Sequence, residues 1–122
     1  MSTSENPKRQ PYDITGAQKR ALRAQGHALK AFLRVGQKGL TEAFVLSVRD
    51  ALADHELIKV SMGDDPPKVR KQNAALLAEQ TGAHLAQTIG RIALLYRRRI
   101  HRPEIQLPGK IIQIPQSGVS EK

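Results

Sequence analysis

Cysteine is absent from this chain of 122 residues, and aromatic residues make up only 3% of it. The first absence excludes disulfides and thiolate metal sites and fits a reducing compartment, so we expect a cytoplasmic protein. Because aromatics are scarce, aliphatic side chains must fill the core, and a hydrophobic content of 39% suffices for one modest domain. No apolar run approaches the ~18 residues of a membrane span. The N-terminal "MSTSENPKRQ" also lacks the apolar region of a signal peptide, so we expect no membrane partner.

Acidic residues are missing from one segment and nearly missing from another, although the whole chain has a net charge of +9. Residues 14–39 carry six Lys or Arg and no Asp or Glu, and residues 66–99 carry seven Lys or Arg and one Glu. Residues 40–65 carry two basic and six acidic residues. If the two basic segments share a face, the field there attracts phosphate. The alternative is an ordinary solvated surface.

The first half of the chain shows two capped helices with a strand between them. Thr15 and Gln18 form a capping-box pattern, which predicts a helix over 16–25. Alternating apolar residues predict a strand from 29 to 35, with Leu33 and Val35 pointing inward. Thr41 then caps a second helix that runs to about His55.

The second half predicts a strand at "ELIKVSM", a loop at "GDDPP", a helix, and a hairpin at "HLAQTIGRIALLYR". Asp64 or Asp65 is expected to cap the helix, which runs to about Gln80 and buries Val69, Leu76 and Leu77. The resulting order α-β-α-β-α-β-β predicts an α/β fold: one compact domain, with helices packed on a four-stranded mixed sheet and parallel pairing across each helix. We expect a disordered leader over 1–13, the domain over 14–99, and a mostly irregular extension over 100–122.

The stretch "RVGQKGLTEA" places two glycines, Gly36 and Gly39, between a strand and a helix N-terminus. That position offers unpaired backbone N–H groups at the positive end of a helix dipole. A glycine lets a sugar-phosphate chain approach the main chain closely, and Arg34 and Lys38 add positive charge. The pattern follows the logic of a GXXG loop, which clamps nucleotides by their backbone. The spacing alone fits a plain turn equally well.

Three separated blocks, "VGQKGLTE", "HELIKV" and "IGRIALLYR", followed by "IQLP", resemble the CRM domain of the bacterial YhbY-like family. The resemblance covers about Ile14 to Pro108. It implies an α/β fold similar to the C-terminal domain of translation initiation factor three. It also implies RNA binding and association with precursors of the large ribosomal subunit (pre-50S). The family's GXXG loop falls on Gly36, Gln37, Lys38 and Gly39.

Five arginines are candidate RNA contacts on charge alone. They are Arg34, Arg91, Arg97, Arg98 and Arg99. The last three belong to "YRRRIHR", which is either a phosphate-binding run or a solvated strand end. Tyr96 is expected at the edge of the core rather than stacked on a base. Phe32 is expected either to stack on a base or to join a second core, with neither favoured.

No motif for catalysis, a cofactor or a metal is present. The four histidines show no metal-ligand spacing, and His55 beside Glu56 is expected to interact with a helix end rather than to act as an acid–base pair. Asp64 and Asp65 are expected to cap a helix rather than to hold a metal. We therefore expect a non-catalytic, monomeric RNA-binding protein with no small-molecule substrate, which holds the RNA backbone with the loop and the basic surface. The alternatives are a ribosome-associated adaptor that binds mainly protein and, as an enzyme, a nuclease.

Overall fold

Three helices and six strands make up the described part of the chain. The computed structural model describes residues 12–31, 33–99, 101–109 and 112–113. In chain order the elements are β1 (Tyr12–Asp13), α1 (Gly16–Gly26), β2 (Leu33–Arg34), α2 (Glu42–His55), β3 (Leu57–Ser61), α3 (Pro67–Thr81), β4 (His84–Ile89), β5 (Ile92–Tyr96) and β6 (Ile112–Gln113).

Four strands form the main sheet, in the order β2-β3-β5-β4. β2 pairs with β3 in parallel, whereas β5 pairs antiparallel with both β3 and β4. The mixed four-stranded sheet is therefore as predicted. The expectation of parallel pairing across each helix holds for β2 and β3 but is wrong for β3 and β4. The tight hairpin places β5 beside β4, and β3 occupies the remaining edge of β5.

Both faces of this sheet are covered by apolar packing. α2 and α3 pack on one face, over a core that includes Val48, Leu52, Ile58, Leu77 and Leu95. α1 packs on the other face, together with the segment around Ile105 and Leu107, over a second core of Ile14, Leu22, Leu57, Ala86, Leu94 and Tyr96. Tyr96 is fully buried in that second core, which rules it out as a platform for a base. Phe32 lies outside the described residues.

The first two helix starts follow from their capping residues. Thr15 Oγ1 accepts a hydrogen bond from the Gln18 amide at 3.1 Å, and Gln18 Oε1 accepts one from the Thr15 amide at 2.9 Å. This reciprocal pair is the predicted capping box. Thr41 Oγ1 likewise accepts from the Phe44 amide at 3.1 Å, so the start of α2 is also as predicted.

The start of α3 differs from the prediction. Pro66 is the N-cap and makes no side-chain cap, so the expected capping by Asp64 or Asp65 is wrong. Pro67 takes the first helical position, where a residue without an N–H leaves one donor fewer to satisfy. Asp64 instead pairs with Arg91, Nη1 to Oδ1, at 2.7 Å.

The buried face of α3 is built largely from small residues. Ala74, Leu77, Ala78 and Thr81 are buried. Leu77 was predicted, but Val69 and Leu76 are 36% and 42% exposed, and that part of the prediction is wrong. The buried positions repeat at i, i+3, i+4 and i+7, which is one helical face. Alanines on that face allow the backbone of α3 to approach the sheet closely. The side of α3 that is buried is therefore the one whose side chains fit in size, not the most apolar one.

Residues 97–99 and 101–109, which follow β5, form no helix or strand but are held against the domain by hydrogen bonds. The Glu56 side chain is 1% exposed and accepts hydrogen bonds from the amides of Arg99 (2.8 Å), Glu104 (2.7 Å) and Ile105 (2.9 Å). Gln18 Nε2 donates to the Pro108 carbonyl at 3.0 Å. Two buried polar side chains therefore hold this segment against the domain.

Short strands at either end of the described chain pair with each other. Tyr12–Asp13 pairs antiparallel with Ile112–Gln113. Tyr12–Asp13 falls within the segment expected to be a leader, and Ile112–Gln113 falls within the extension expected to be mostly irregular. Two-residue strands carry too little periodicity to be recognised before their partner is known.

Candidate nucleic-acid interface

The glycine loop, residues Gly36–Gly39, connects β2 to α2 at one end of the main sheet. The Val35 amide donates to the Ser61 carbonyl at 2.8 Å, which fixes the start of the loop on β3. The Gly39 amide donates back to the Gly36 carbonyl at 3.0 Å and closes the turn. The loop therefore has a defined shape and stands where the sequence predicted it, at a strand end and a helix start.

Several backbone donors at this loop have no acceptor among the residues that the structure describes. Gly36, Gln37 and Lys38 are exposed, and their amides make no hydrogen bond with any part of the chain that the structure describes. Within the same part of the chain, the amides of Glu42 and Ala43, in the first turn of α2, also have no acceptor. The amides of Glu42 and Ala43 carry the partial positive charge of a helix N-terminus. Together with the loop amides they leave several hydrogen-bond donors available to an anionic ligand.

The two glycines leave open space around this backbone. A Cβ added to either Gly36 or Gly39 would meet no atom within 4 Å. Gly39 has a φ of +75°, a backbone conformation that favours glycine. Gly36 has no such φ, so neither the backbone nor the packing requires a glycine there. What its missing side chain provides is access to the main chain from solvent.

A groove of about 530 Å³ runs along the loop. Val35 and Met62, both buried, contribute apolar surface to it, and Arg34 also lines it. The opposite wall is Gly63–Asp65, which brings two carboxylates close to the loop. The sequence indicated a helix cap for this acidic pair and gave no sign of the wall, because only the parallel pairing of β2 with β3 sets the two strand ends side by side.

Two further arginines lie at this end of the sheet. Arg91 precedes β5, its carbonyl accepts from the Met62 amide at 2.6 Å, and its side chain pairs with Asp64. Their side chains are 59% and 70% exposed, so this ion pair contributes little to stability and can rearrange around a ligand. Arg70 donates to the carbonyls of Gly90 (3.2 Å) and Asp65 (2.7 Å), which adds a cation that the sequence analysis did not single out. Net charge was the only signal for it in the sequence.

The structure does not bring Arg97, Arg98 and Arg99 to the loop. The Arg97 amide donates to the Glu56 carbonyl at 2.8 Å, at the start of β3, whereas the loop lies beside the end of β3. From Arg91 to Arg97 the chain takes six steps of roughly 3.4 Å along β5, about 20 Å in all. The candidate set predicted from charge therefore divides between the two ends of the sheet.

Arg99 is engaged in the structure itself. Its guanidinium donates to the carbonyls of Asp54 (3.2 Å) and Arg102 (2.8 Å) and pairs with Glu104 at 3.3 Å. A cation beside the last carbonyls of α2 is favoured by the helix dipole. The acidic C-terminal half of α2 also lies at this end, so the positive potential there is partly compensated.

The described residues lack both a cluster of metal-ligand side chains and a helix that could span a membrane. They contain no group of three or more His, Cys, Asp or Glu side chains placed to hold a metal ion. Among the same residues, no helix has the length and apolar character needed to cross a membrane. Glu56, adjacent to His55, is occupied by three backbone amides and is therefore not placed for acid–base chemistry.

The sequence of this chain is similar to one protein-family model and to several known proteins. The model of the CRS1 / YhbY (CRM) domain matches residues 14–97. A protein of Bacillus subtilis named probable RNA-binding protein YqeI is 34% identical over 95 residues, which cover 78% of this chain and 99% of that protein. The probable RNA-binding protein PA4753 of Pseudomonas aeruginosa is 39% identical over 85 residues, or 70% and 82% of the two chains. A Haemophilus influenzae protein named RNA-binding protein is 36% identical over 97 residues, or 80% and 97%.

A solved structure shows the same fold. The solution structure of SAV1595 from Staphylococcus aureus superposes with a TM-score of 0.71 at 34% identity, covering 79% of this chain and all of that one. The predicted α/β fold is therefore confirmed, as is the resemblance stated from the sequence. The relatives are named as RNA-binding proteins and not as enzymes, in agreement with the predicted non-catalytic role.

Proposed function

This chain belongs to the CRS1 / YhbY (CRM) domain family, and from that premise we propose that it is a bacterial RNA-binding protein. Its ligand is ribosomal RNA of the precursor large subunit (pre-50S), which it contacts in the cytoplasm during ribosome assembly. The RNA-binding part lies within residues 14–99. The names of the relatives support RNA as the partner, and the ribosomal assignment comes from the resemblance of the three sequence blocks.

One observation carries the proposal: Gly36, Gln37 and Lys38 are exposed just before the N-terminus of α2, and their amides have no acceptor within the described part of the chain. Phosphate oxygens accept hydrogen bonds from such amides, and hydrogen bonds to charged groups contribute roughly 1.5–3 kcal/mol each. Arg34, Lys38 and Arg91 add attraction that does not depend on sequence. Recognition of backbone and shape follows, rather than the reading of duplex base edges.

A charge reversal in the loop tests this assignment. The double variant Gln37→Asp, Lys38→Asp places carboxylates where phosphate is expected, so affinity for single-stranded RNA should fall by roughly 10- to 100-fold. The matched control is Lys71→Asp, Gln72→Asp on α3, which makes the same change in net charge on exposed positions. It should lose only the small part that depends on net charge. Equal losses in both variants, at unchanged melting temperature, would remove the loop from the binding site.

The salt dependence of binding provides an independent check. If about four phosphates are neutralised, the logarithm of the affinity should fall against the logarithm of salt concentration with a slope of roughly −3 on single strands. The loop variant should have a shallower slope than the control. A slope near zero for the unchanged protein would contradict electrostatic recognition altogether.

The ribosomal assignment is tested in cells. Crosslinking followed by sequencing of the attached RNA should recover precursor large-subunit RNA, and the protein should sediment with pre-50S particles. Treatment with nuclease should then release its partners. Partners that remain after nuclease would favour the adaptor function, and crosslinks confined to other RNAs would contradict the ribosomal assignment while leaving RNA binding intact.

A further inference from the structure

One row of the main sheet is left uncovered on the α1 face. α1 ends at Gly26, directly over β5, where an added Cβ would lie 3.0 Å from the Leu94 methyl carbons. Beyond Leu94 toward the loop, α1 no longer covers the sheet, and Ile89 is 61% exposed. Ile89 is exposed whereas Leu94, on the same face of the sheet, is buried, so α1 stops covering the sheet between these two residues.

Strand register defines the residues of this row. Arg34 pairs with Ser61, Ser61 with Ile92, and Ile92 with Ile89. These four residues, which we call the sheet-end row, cross all four strands, and with neighbouring strands about 4.8 Å apart the row is about 14 Å wide. Arg34 belongs both to this row and to the groove beside the glycine loop. The two surfaces are therefore continuous.

Cations surround the apolar part of the row. A shallow cavity of about 160 Å³ lies behind it, lined by Arg23, Lys59, Ile89 and Ile92 among others. Lys59 Nζ donates to the Leu29 carbonyl at 2.9 Å, which holds the ammonium group on this face. No Asp or Glu occurs in residues 14–41, which supply α1, β2 and the connection between them. Apolar side chains beside cations, in a cavity whose lining includes no Asp or Glu, match a base and its phosphate better than an ordinary protein surface.

We propose that an RNA strand held at the glycine loop continues past Arg34 onto the sheet-end row. Its bases rest against Ile92 and Ile89, and its phosphates lie toward Arg23 and Lys59. This path rests on the proposed function and extends it. It says where the RNA strand runs after the loop, and it adds a second contact that is partly apolar. The loop alone accounts for roughly four nucleotides. The row therefore lengthens the binding site along the strand.

Oligonucleotide length separates the two contacts. A tetranucleotide should occupy the loop only, whereas an octanucleotide should reach the row and bind about 10-fold more tightly at the same salt. Ile89→Ser and Arg23→Gln should each reduce octanucleotide affinity by about 5-fold and leave tetranucleotide affinity unchanged. The matched control is Leu76→Ser on α3, an exposed leucine on the other side of the sheet, which should change neither. Equal affinities for the two oligonucleotides, or an octanucleotide affinity insensitive to Ile89→Ser, would overturn the proposal.

Crosslinking provides a second readout. An octanucleotide with a photoreactive uridine in the half that extends beyond the loop should crosslink to the tryptic peptide 72–91, at or next to Ile89. The tetranucleotide should not. Crosslinks from that half only to α3, or to no residue of this face, would refute the path. A row that serves a protein partner instead would leave all RNA measurements on the row variants unchanged, which is the same refutation.

The loop variant separates this proposal from the proposed function. If Gln37→Asp, Lys38→Asp weakens both oligonucleotides while Ile89→Ser weakens neither, the loop assignment stands and the path over the row is wrong. If the loop variant binds both oligonucleotides as the unchanged protein does, the loop is not the binding site and the path that starts from it is wrong. If the unchanged protein binds neither oligonucleotide, the proposed function itself fails. Ile89 and Arg23 are not core residues, so the melting temperatures of these variants should stay close to that of the unchanged protein.

Discussion

Replacement of Gly36 by alanine separates the stability of the protein from its RNA binding. A Cβ at this position meets no atom within 4 Å, and Gly36 is not among the residues with positive φ. The folded state should therefore accept Gly36→Ala without strain. Because alanine restricts the unfolded chain more than glycine does, the free energy of unfolding should stay equal or rise by roughly 0.4–1 kcal/mol.

RNA binding should respond in the opposite direction. The new methyl group projects into the open space through which a sugar-phosphate chain would reach the loop amides. If it displaces one amide–phosphate hydrogen bond, worth roughly 1.5–3 kcal/mol, affinity falls by roughly 10- to 100-fold. Gly39→Ala is a less informative change, since a φ of +75° imposes a cost of roughly 1–2 kcal/mol on alanine and alters the loop itself.

Two measurements on the same Gly36→Ala preparation test whether stability and RNA affinity change separately. Urea denaturation gives the free energy of unfolding, and fluorescence anisotropy with a labelled single-stranded RNA gives the affinity. We expect stability at or above that of the unchanged protein together with weakened binding. Unchanged affinity would show that the backbone at Gly36 is not approached by RNA, and a loss of stability would show that the packing argument is wrong.

Two further predictions concern the far end of the sheet. Glu56→Ala removes the acceptor of three backbone amides and should lower the free energy of unfolding by about 3–5 kcal/mol. Glu56→Gln keeps one acceptor oxygen and should cost less. A loss below about 1 kcal/mol for Glu56→Ala in urea denaturation would show that Glu56 does not hold residues 101–109 against the domain. Arg99→Ala should cost about 1–3 kcal/mol because it loses contacts with α2 carbonyls. The control Lys71→Ala, at an exposed position of α3, should stay within about 0.5 kcal/mol, and equal thermal shifts for the two variants would show that Arg99 has no special structural role.

The parts of the site that could be predicted from the sequence are those set by neighbouring residues. The capping contacts of α1 and α2 each join residues three positions apart, Thr15 with Gln18 and Thr41 with Phe44. The starts of these two helices therefore followed from the local sequence. The glycine loop was recognisable for the same reason, because Gly36 and Gly39 act on their own backbone. The cap of α3 was mispredicted because two carboxylates precede two prolines, and local preference does not decide which residue takes the N-cap.

Charge showed that the chain favours an anionic partner but not where that partner would lie. Arg91 and Arg97 flank β5 and are six residues apart, and only the register of β5 against β3 shows that one lies at the loop end and the other at the opposite end. Glu56 looked like part of a helix end, and its role as an acceptor for a segment more than 40 positions away had no local sign.

By itself, then, the sequence determined the caps of α1 and α2, the turn at the glycine loop, the excess of positive charge and the family. Each depends on residues within a few positions of one another or on a simple count. The strand order, the groove wall at Gly63–Asp65, the uncovered sheet-end row and the separation of the arginines were decided only by the tertiary structure. These depend on which distant segments pack together, and that choice reflects the fit of the whole core rather than the preference of any single stretch.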